Sequence, residues 1–186
     1  MPEASRRSPF AGLAAPGNGR AEVVFLGPMT RLILHGPHEA ARAAAPFGVE
    51  LPLAPLRAAE RGPRAAIWQA PDEWLLIAED SESKPLIETL EQALAQIPHG
   101  LVDVSHRQAA LEVIGAGAAR LLNAGVPLDL DASAFPVGMA VRTMLTKAET
   151  LVWRRAPDRF RLEFGRSYSG YVVGLLAQAA ADQELC

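Results

Sequence analysis

The chain has 186 residues, of which 49% are hydrophobic and 21% charged, so it is long enough to bury a core in one domain or in two small fused ones. A net charge of −3, with scattered arginines, argues against a nucleic-acid-binding protein. The chain contains no apolar run of membrane-helix length, and Cys186 alone allows neither an internal disulfide nor a cysteine-based zinc site. We therefore expect a cytoplasmic protein without nucleic acid or membrane partners.

Residues 1–20 are predicted to form a flexible polar leader. Ser5-Arg6-Arg7 resembles the start of a twin-arginine export signal. Glycines and prolines between Gly12 and Gly19 interrupt any apolar segment behind it. We interpret this stretch as a leader rather than as an export signal.

The first half of the chain, residues 21–100, starts with an apolar strand candidate, Leu32–His35. A Gly36-Pro37 turn leads into an alanine-rich helix through Ala45, and Gly48 behind it is a typical helix stop signal. These features predict a strand–turn–helix unit.

A β-hairpin and a second helix follow in this half. Ala70-Pro71-Asp72 suits the hairpin turn, because proline fixes φ and aspartate bonds the backbone beyond it. The next strand, Trp74–Ala78, is apolar on both faces, and the sequence leaves open whether the other half or a partner chain covers it. This strand and exposed parts of the leader are our candidates for partner contact. The helix has an apolar stripe at Leu86, Ile87, Leu90, Leu94 and Ile97.

The second half, residues 101–182, repeats this order as a weak internal repeat. Leu111–Ile114 is the strand, Gly115-Ala116-Gly117 the turn before a helix through Leu122, and Ala156-Pro157-Asp158 the hairpin turn. In the strand after that turn, apolar and charged residues alternate, which is typical of a half-buried strand. The alternating residues are Phe160, Leu162 and Phe164 against Arg159, Arg161 and Glu163. The apolar stripe of the last helix is Tyr171, Val172, Leu175, Leu176 and Ala179.

Each half therefore predicts a β-α-β-β-α unit with an extra strand, and the whole chain predicts an α+β fold. Each half is too small to be stable on its own, so we expect the two halves to share one core. Residues 183–186 are predicted to form a tail.

Several polar residues are candidates for chemistry, but each has a simpler structural interpretation. Ser105 and His106 are neighbours and would point to opposite faces of a strand, so they cannot form a nucleophile–base pair. His35, His38 and His99 lack the further ligands that zinc requires. We interpret all of them as structural residues.

Two further patterns resemble functional motifs only weakly. Gly115-Ala116-Gly117 follows a strand as in a dinucleotide fingerprint, but Arg120 replaces the third glycine. Asp129 and Asp131 share one face of an extended segment, within what reads as a solvated loop. We assign no catalytic, cofactor-binding or metal-ligating residue to this chain.

The order of motifs along nearly the whole chain resembles the gamma subunits of heterotetrameric sarcosine oxidases. The matching segments are Ser8–Leu13, Pro71–Leu76, Leu101–Arg107, Gly115–Ala118, Pro127–Leu130 and Phe135–Gly138. That family is similar in fold to the folate-binding part of the glycine-cleavage aminomethyltransferase. In that enzyme an aspartate near the second hairpin serves catalysis. Here Met144–Leu151 has no such aspartate, and only Glu149 stands nearby as a possible substitute.

The resemblance implies a non-catalytic subunit that supports the oxidative demethylation of sarcosine to glycine. Its partners would be alpha, beta and delta subunits, which would hold FAD, FMN, NAD and tetrahydrofolate. The chain itself would bind no cofactor and be inactive alone. The alternatives are a stand-alone folate-binding one-carbon transferase and a folate-dependent accessory protein.

Overall fold

The computed structural model describes residues 8–184, which fold into two five-stranded antiparallel sheets and four α-helices. The strands are β1 (Glu22–Phe25), β2 (Met29–His35), β3 (Ala58–Arg61), β4 (Arg64–Ala70), β5 (Glu73–Glu79), β6 (Gly100–Asp103), β7 (Gln108–Ile114), β8 (Ala140–Leu145), β9 (Ala148–Ala156) and β10 (Arg159–Gly165). The helices are α1 (His38–Ala43), α2 (Ser83–Leu94), α3 (Ala118–Asn123) and α4 (Ser169–Glu184). The predicted α+β class is confirmed.

The two halves exchange one strand each. One sheet has the order β3-β4-β5-β2-β6 and the other β1-β7-β10-β9-β8. Thus β1 pairs with β7 of the second half, and β6 pairs with β2 of the first half. The boundary between the two halves at residues 100 and 101 stays a prediction. The two exchanged strands hydrogen-bond each half to the other.

The molecule has four layers, in the order helices, sheet, sheet, helices. The helices α1 and α2 cover the outer face of the first sheet, and α3 and α4 cover that of the second. The inner faces of the two sheets pack against each other. The shared core therefore has a central part between the sheets and two outer parts under the helices.

The run Trp74–Ala78 is buried within the chain itself, with no exposed surface at any of its five positions. Trp74, Leu76 and Ala78 pack under α1 and α2. Leu75 and Ile77 pack against Leu151 and Trp153 of the other sheet. The prediction that this strand contacts a partner is wrong, because the second half supplies the missing cover.

Two of the three charged residues on one face of β10 are also buried, although the alternation predicted a half-buried strand. Phe160, Leu162 and Phe164 pack under α3 and α4 as expected. Arg161 and Glu163 face the other sheet and are only 5% and 2% exposed. The alternation of apolar and charged residues shows that a strand has two different faces. It does not show that the charged face is exposed, and here that face packs against Arg31 of the other sheet.

Three ion pairs cross between the sheets. Arg31 on β2 bonds Glu163 on β10 at 2.6 Å, and Arg155 on β9 bonds Glu60 on β3 at 2.6 Å. A longer pair joins Arg142 on β8 to Glu73 on β5 at 3.6 Å. Ion pairs demand particular geometry, so these fix how one sheet sits on the other.

The ends of the described chain are anchored to the domain. Phe10 is buried in the leader, where its ring stacks on Phe25 with centroids 4.3 Å apart. The Asn18 side chain accepts hydrogen bonds from the backbone N–H groups of Arg20 and Ala21. The last helix continues to Glu184. The predicted leader residues 1–7 and Cys186 lie outside the described residues.

The helical stripes are confirmed except at Ile97, which lies beyond the end of α2, and at Tyr171. On α2, Leu86, Leu90 and Leu94 are buried as predicted. On α4, Tyr171 is 39% exposed and its hydroxyl contacts Thr146. No helix among residues 8–184 is long and apolar enough to cross a membrane.

Candidate functional site: the cleft between the sheets

A cleft of about 750 Å³ opens between the two sheets at one end of the central layer. Strand ends and turns from both halves form its walls. The charged lining side chains are Glu73, Arg107, Arg142, Glu149, Glu163 and Arg166, and the His106 ring lies among them. Its apolar lining includes Ile33, Leu75, Val102, Leu151 and Tyr168. The cleft is therefore the place where residues distant in sequence converge.

Glu163 lies at the base of the cleft between two buried arginines. Arg31 Nε donates to Glu163 Oε2 at 2.6 Å, and its Nη2 approaches Oε1 at 3.4 Å. Arg161 donates to Oε1 through Nε at 2.8 Å and Nη2 at 2.6 Å. All three side chains are nearly inaccessible to solvent. These charge-assisted bonds occupy both carboxylate oxygens, so Glu163 is unsuited to accept a proton from a substrate.

Glu149, the possible substitute for the missing catalytic aspartate, lies at the rim. Its side chain is 62% exposed and pairs with Arg142 at 2.6 Å. A solvated ion pair of this kind contributes little to stability.

Ser105 and His106 do not form a catalytic pair. Ser105 is buried, and its hydroxyl accepts the backbone N–H of Arg31 at 2.9 Å. His106 is exposed at the mouth of the cleft. Both residues lie in the turn after β6 rather than at the strand end that the sequence predicted. The serine serves to join the turn to β2.

Asp103 fixes that turn in place. Its carboxylate accepts the Ser105 N–H at 2.8 Å and the Ser83 hydroxyl at 2.5 Å. Partial burial raises the pKa of Asp103, but these hydrogen bonds outweigh burial and lower its pKa below the usual value. The carboxylate is therefore a charged structural anchor beside the cleft.

The histidines considered as metal ligands are dispersed. The His35 ring lies 3.3 Å from Asp72 at the surface, and His38 begins α1. The His99 ring nitrogens lie 2.8 Å from the Ile97 carbonyl oxygen and 3.1 Å from the Glu91 carboxylate. The hydrogen bond to the carbonyl is the largest cause that raises the pKa of His99, and the Glu91 carboxylate raises it further. Burial lowers the pKa, but by less. Within residues 8–184 no three His, Cys, Asp or Glu side chains are grouped as a metal would require.

The loop aspartates are solvated, as predicted. Asp129 accepts the backbone N–H of Asp131 at 2.9 Å, and Asp131 accepts the backbone N–H and the hydroxyl of Ser133. The Ser133 backbone bond, followed by the hydroxyl bond, lowers the pKa of Asp131. These are local turns of the Asx type, with no convergence on the cleft.

Gly115 and Gly117 form a tight turn before α3. Gly115 has φ of 122°, a backbone conformation that side chains with a Cβ rarely adopt. The Arg20 backbone runs directly against this turn, and the Gly117 N–H donates to the Arg20 carbonyl at 2.9 Å. The motif is therefore a turn before a helix, as predicted, and its glycines leave space for the backbone at Arg20.

Replacing Gly115 with alanine is expected to lower the free energy of unfolding by at least about 2 kcal/mol, since both the φ angle and the space disfavour a Cβ. A Cβ at this position would overlap the Arg20 carbonyl oxygen at a distance that real Cβ atoms do not show. Urea unfolding of Gly115→Ala measures the change. Gly170→Ala is the control, because nothing lies within 4 Å of a Cβ there; equal stability of the two variants would contradict this account.

Sequence reasoning missed the buried ion pairs of the two sheets. Arg31 directly precedes the apolar residues Leu32, Ile33 and Leu34 in β2, and Glu112 interrupts the apolar residues of β7. Glu112 is 3% exposed and pairs with Arg155 and Arg159. A lone charge inside an apolar strand was the available signal for a buried ion pair.

Comparisons with known proteins agree with one another. A family model described as sarcosine oxidase, gamma subunit family, matches residues 35–182. The chain is 34% identical over 188 residues to sarcosine oxidase subunit gamma of Corynebacterium sp. strain U-96, covering 95% of this chain and 91% of that protein.

Two solved structures are similar in fold. A chain of the heterotetrameric sarcosine oxidase from Corynebacterium sp. U-96, in complex with pyrrole 2-carboxylate, matches with a TM-score of 0.87 and 31% identity over 96% of both chains. Aminomethyltransferase T of the glycine cleavage system from Bartonella henselae matches with a TM-score of 0.63 and 13% identity, over 84% of this chain and 45% of that one. The second likeness concerns the fold alone.

Proposed function

Because this chain belongs to the sarcosine oxidase gamma subunit family, we propose that it is a non-catalytic subunit of a heterotetrameric sarcosine oxidase. Its partners would be the alpha, beta and delta subunits. Those subunits would oxidatively demethylate sarcosine to glycine and would hold FAD, FMN, NAD and tetrahydrofolate. This chain would contribute a rigid surface on which they assemble.

The state of Glu163 is the observation that supports a non-catalytic role most directly. It is the buried carboxylate of the cleft, and both of its oxygens are bonded to Arg31 and Arg161. A general base needs a lone pair free to reach the substrate proton. The other two lining glutamates, Glu73 and Glu149, share Arg142 as their partner. The cleft thus uses its carboxylates to join the sheets and to order its rim.

The same contacts argue against tetrahydrofolate in this cleft. A pterin ring presents adjacent N–H donors, which a free carboxylate would accept as a pair. Glu163 is surrounded by donors instead. The cleft around Glu163 therefore does not fit a pterin ring, which supports assigning tetrahydrofolate to another subunit.

Co-expression with the alpha, beta and delta subunits tests the proposal. We expect this chain to co-purify with them in equal amounts, and we expect the complex to form peroxide from sarcosine. The purified chain alone should form none and should show no binding in a tetrahydrofolate titration. Turnover by the isolated chain, or a fully active complex that assembles without it, would refute a structural role.

A further inference from the structure

We propose that Asn18 is a site of spontaneous deamidation, at which the backbone nitrogen of Gly19 attacks the side-chain amide of Asn18. The product is a cyclic succinimide, which water opens to aspartate or isoaspartate. This inference rests on the turn that precedes β1 and does not depend on the proposed function.

Asn18 lies in a tight turn between the leader and β1. Its backbone N–H donates to the Ala21 carbonyl at 3.0 Å, and just outside the turn Gly17 pairs with Glu22. Gly19 is exposed within the turn and has φ of 72°. The turn therefore presents the peptide bond between Asn18 and Gly19 at the surface, on a backbone that is held on both sides.

The Asn18 side chain is folded forward over Gly19. Its Oδ1 accepts the backbone N–H groups of Arg20 at 3.1 Å and of Ala21 at 2.9 Å. Both donors follow Gly19 in the chain, so this Asx-type turn holds the amide carbon on the side of the Gly19 nitrogen. Two reacting groups that are held together in this way need not lose their freedom of motion in the reaction itself.

The same two hydrogen bonds polarise the amide. When the Gly19 nitrogen adds to Asn18 Cγ, negative charge develops on Oδ1. Backbone N–H groups that already point at such an oxygen stabilise the charge, as the donors of an oxyanion hole do. The N–H groups of Arg20 and Ala21 have this position.

The Gly19 nitrogen is free to act as the nucleophile. Within residues 8–184 its N–H donates to no acceptor, so hydroxide can remove the proton without breaking an internal hydrogen bond. Glycine has no Cβ to hinder the approach, and nothing lies within 4 Å of the position that a Cβ would take.

The reaction needs water and no other reagent. The bond from Gly19 N to Asn18 Cγ forms as the nitrogen loses its proton to solvent, and the bond from Cγ to Nδ2 breaks as ammonia leaves with a proton from water. Water then adds to a ring carbonyl. Opening at Cγ gives aspartate, and opening at the backbone carbonyl gives isoaspartate. Either product adds a negative charge to the chain.

The modification would change how this turn contacts the rest of the domain. Asn18 Nδ2 donates to Gln183 Oε1 on α4 at 3.4 Å, and an ionised aspartate has no proton for this contact. Isoaspartate also places an extra methylene group in the backbone, which would shift the pairing of Gly17 with Glu22.

Asn123 is the matched control within the same chain. It is the other asparagine of the sequence and is also exposed. The backbone nitrogen that follows it belongs to Ala124, which has a Cβ and donates to the Leu121 carbonyl at 3.4 Å. Asn123 therefore lacks both the free nucleophile and the open approach.

Peptide mass spectrometry of the full chain, aged in mildly alkaline buffer containing heavy-oxygen water, tests the inference. We expect the Asn18 peptide to replace its amide with a carboxylate that carries solvent oxygen at least about tenfold faster than the Asn123 peptide does. Asn18→Asp marks where the aspartate form elutes and so distinguishes it from isoaspartate. Equal rates for the two asparagines, or an unchanged Asn18, would overturn the proposal.

A parallel incubation in guanidinium chloride separates the effect of the turn from that of the Asn-Gly sequence. If the hydrogen bonds of the turn assist the reaction, Asn18 should react at least as fast in the folded chain as in the unfolded one. A slower reaction in the folded chain would show that the turn protects Asn18, and this too would overturn the proposal.

Discussion

Replacing Glu163 with glutamine is expected to lower the free energy of unfolding by about 3–5 kcal/mol, the cost of removing one partner from a buried ion pair. Arg31 and Arg161 are 1% and 5% exposed, so neither guanidinium can recover its lost partner from water. Glutamine keeps the shape of the side chain but removes the charge that neutralises them. Urea unfolding, with the slope checked for a two-state transition, measures the change.

The matched control is Glu149→Gln, which removes the same charge from an exposed pair with Arg142. This change should shift the free energy of unfolding by no more than about 0.5 kcal/mol. Similar effects for the two variants would mean that the Glu163 site is more hydrated than its contacts indicate. The triple variant Arg31→Met, Arg161→Met, Glu163→Leu should be closer to the unaltered chain than Glu163→Gln is, because it leaves no buried charge unpaired.

Local patterns in the sequence were sufficient for the fold class and for the strand–turn–helix units and hairpins, but not for β1, β3 and β8. The strand–turn–helix steps at Gly36 and Gly115 and the hairpins at Pro71 and Pro157 all lie where the sequence predicted them. These features depend on backbone preferences of a few neighbouring residues, and such preferences are readable from sequence alone. The resemblance to gamma subunits is confirmed as well.

Local sequence patterns could not predict that β1 and β6 are exchanged between the sheets. A four-residue strand carries no signal about which neighbour it pairs with, because pairing depends on contacts distant in sequence. The same limit explains the error on β10. Alternation showed that Arg161 and Glu163 share a face, but only the packing of two sheets shows that this face is closed.

The cleft could not be predicted because its parts come from separate regions of the chain. Glu73 lies on one sheet and Arg142 and Glu149 on the other, so these residues meet only when the two sheets stack. None of them belongs to a motif with a fixed spacing. The sequence argument against a Ser105–His106 pair assumed a strand, whereas the two residues lie in a turn and the Ser105 hydroxyl accepts the backbone N–H of Arg31.

Replacing Trp74 with alanine is expected to lower the free energy of unfolding of the isolated chain by about 3–5 kcal/mol. The indole is fully buried under the helices of the first half, and its N–H donates to the Pro52 carbonyl at 2.8 Å. The variant would leave a cavity and a carbonyl without its donor, and two-state urea unfolding measures their combined cost.

Val102→Ala separates this account from the partner-contact interpretation of Trp74–Ala78. Val102 is 56% exposed, so its truncation should change the stability of the isolated chain by no more than about 0.5 kcal/mol. A strand kept apolar for a partner would show the opposite pattern: Trp74→Ala would leave the isolated chain as stable as before and weaken only the assembly. Because the second half of the chain already covers this strand, we expect the loss to appear in the isolated chain, without any other subunit present.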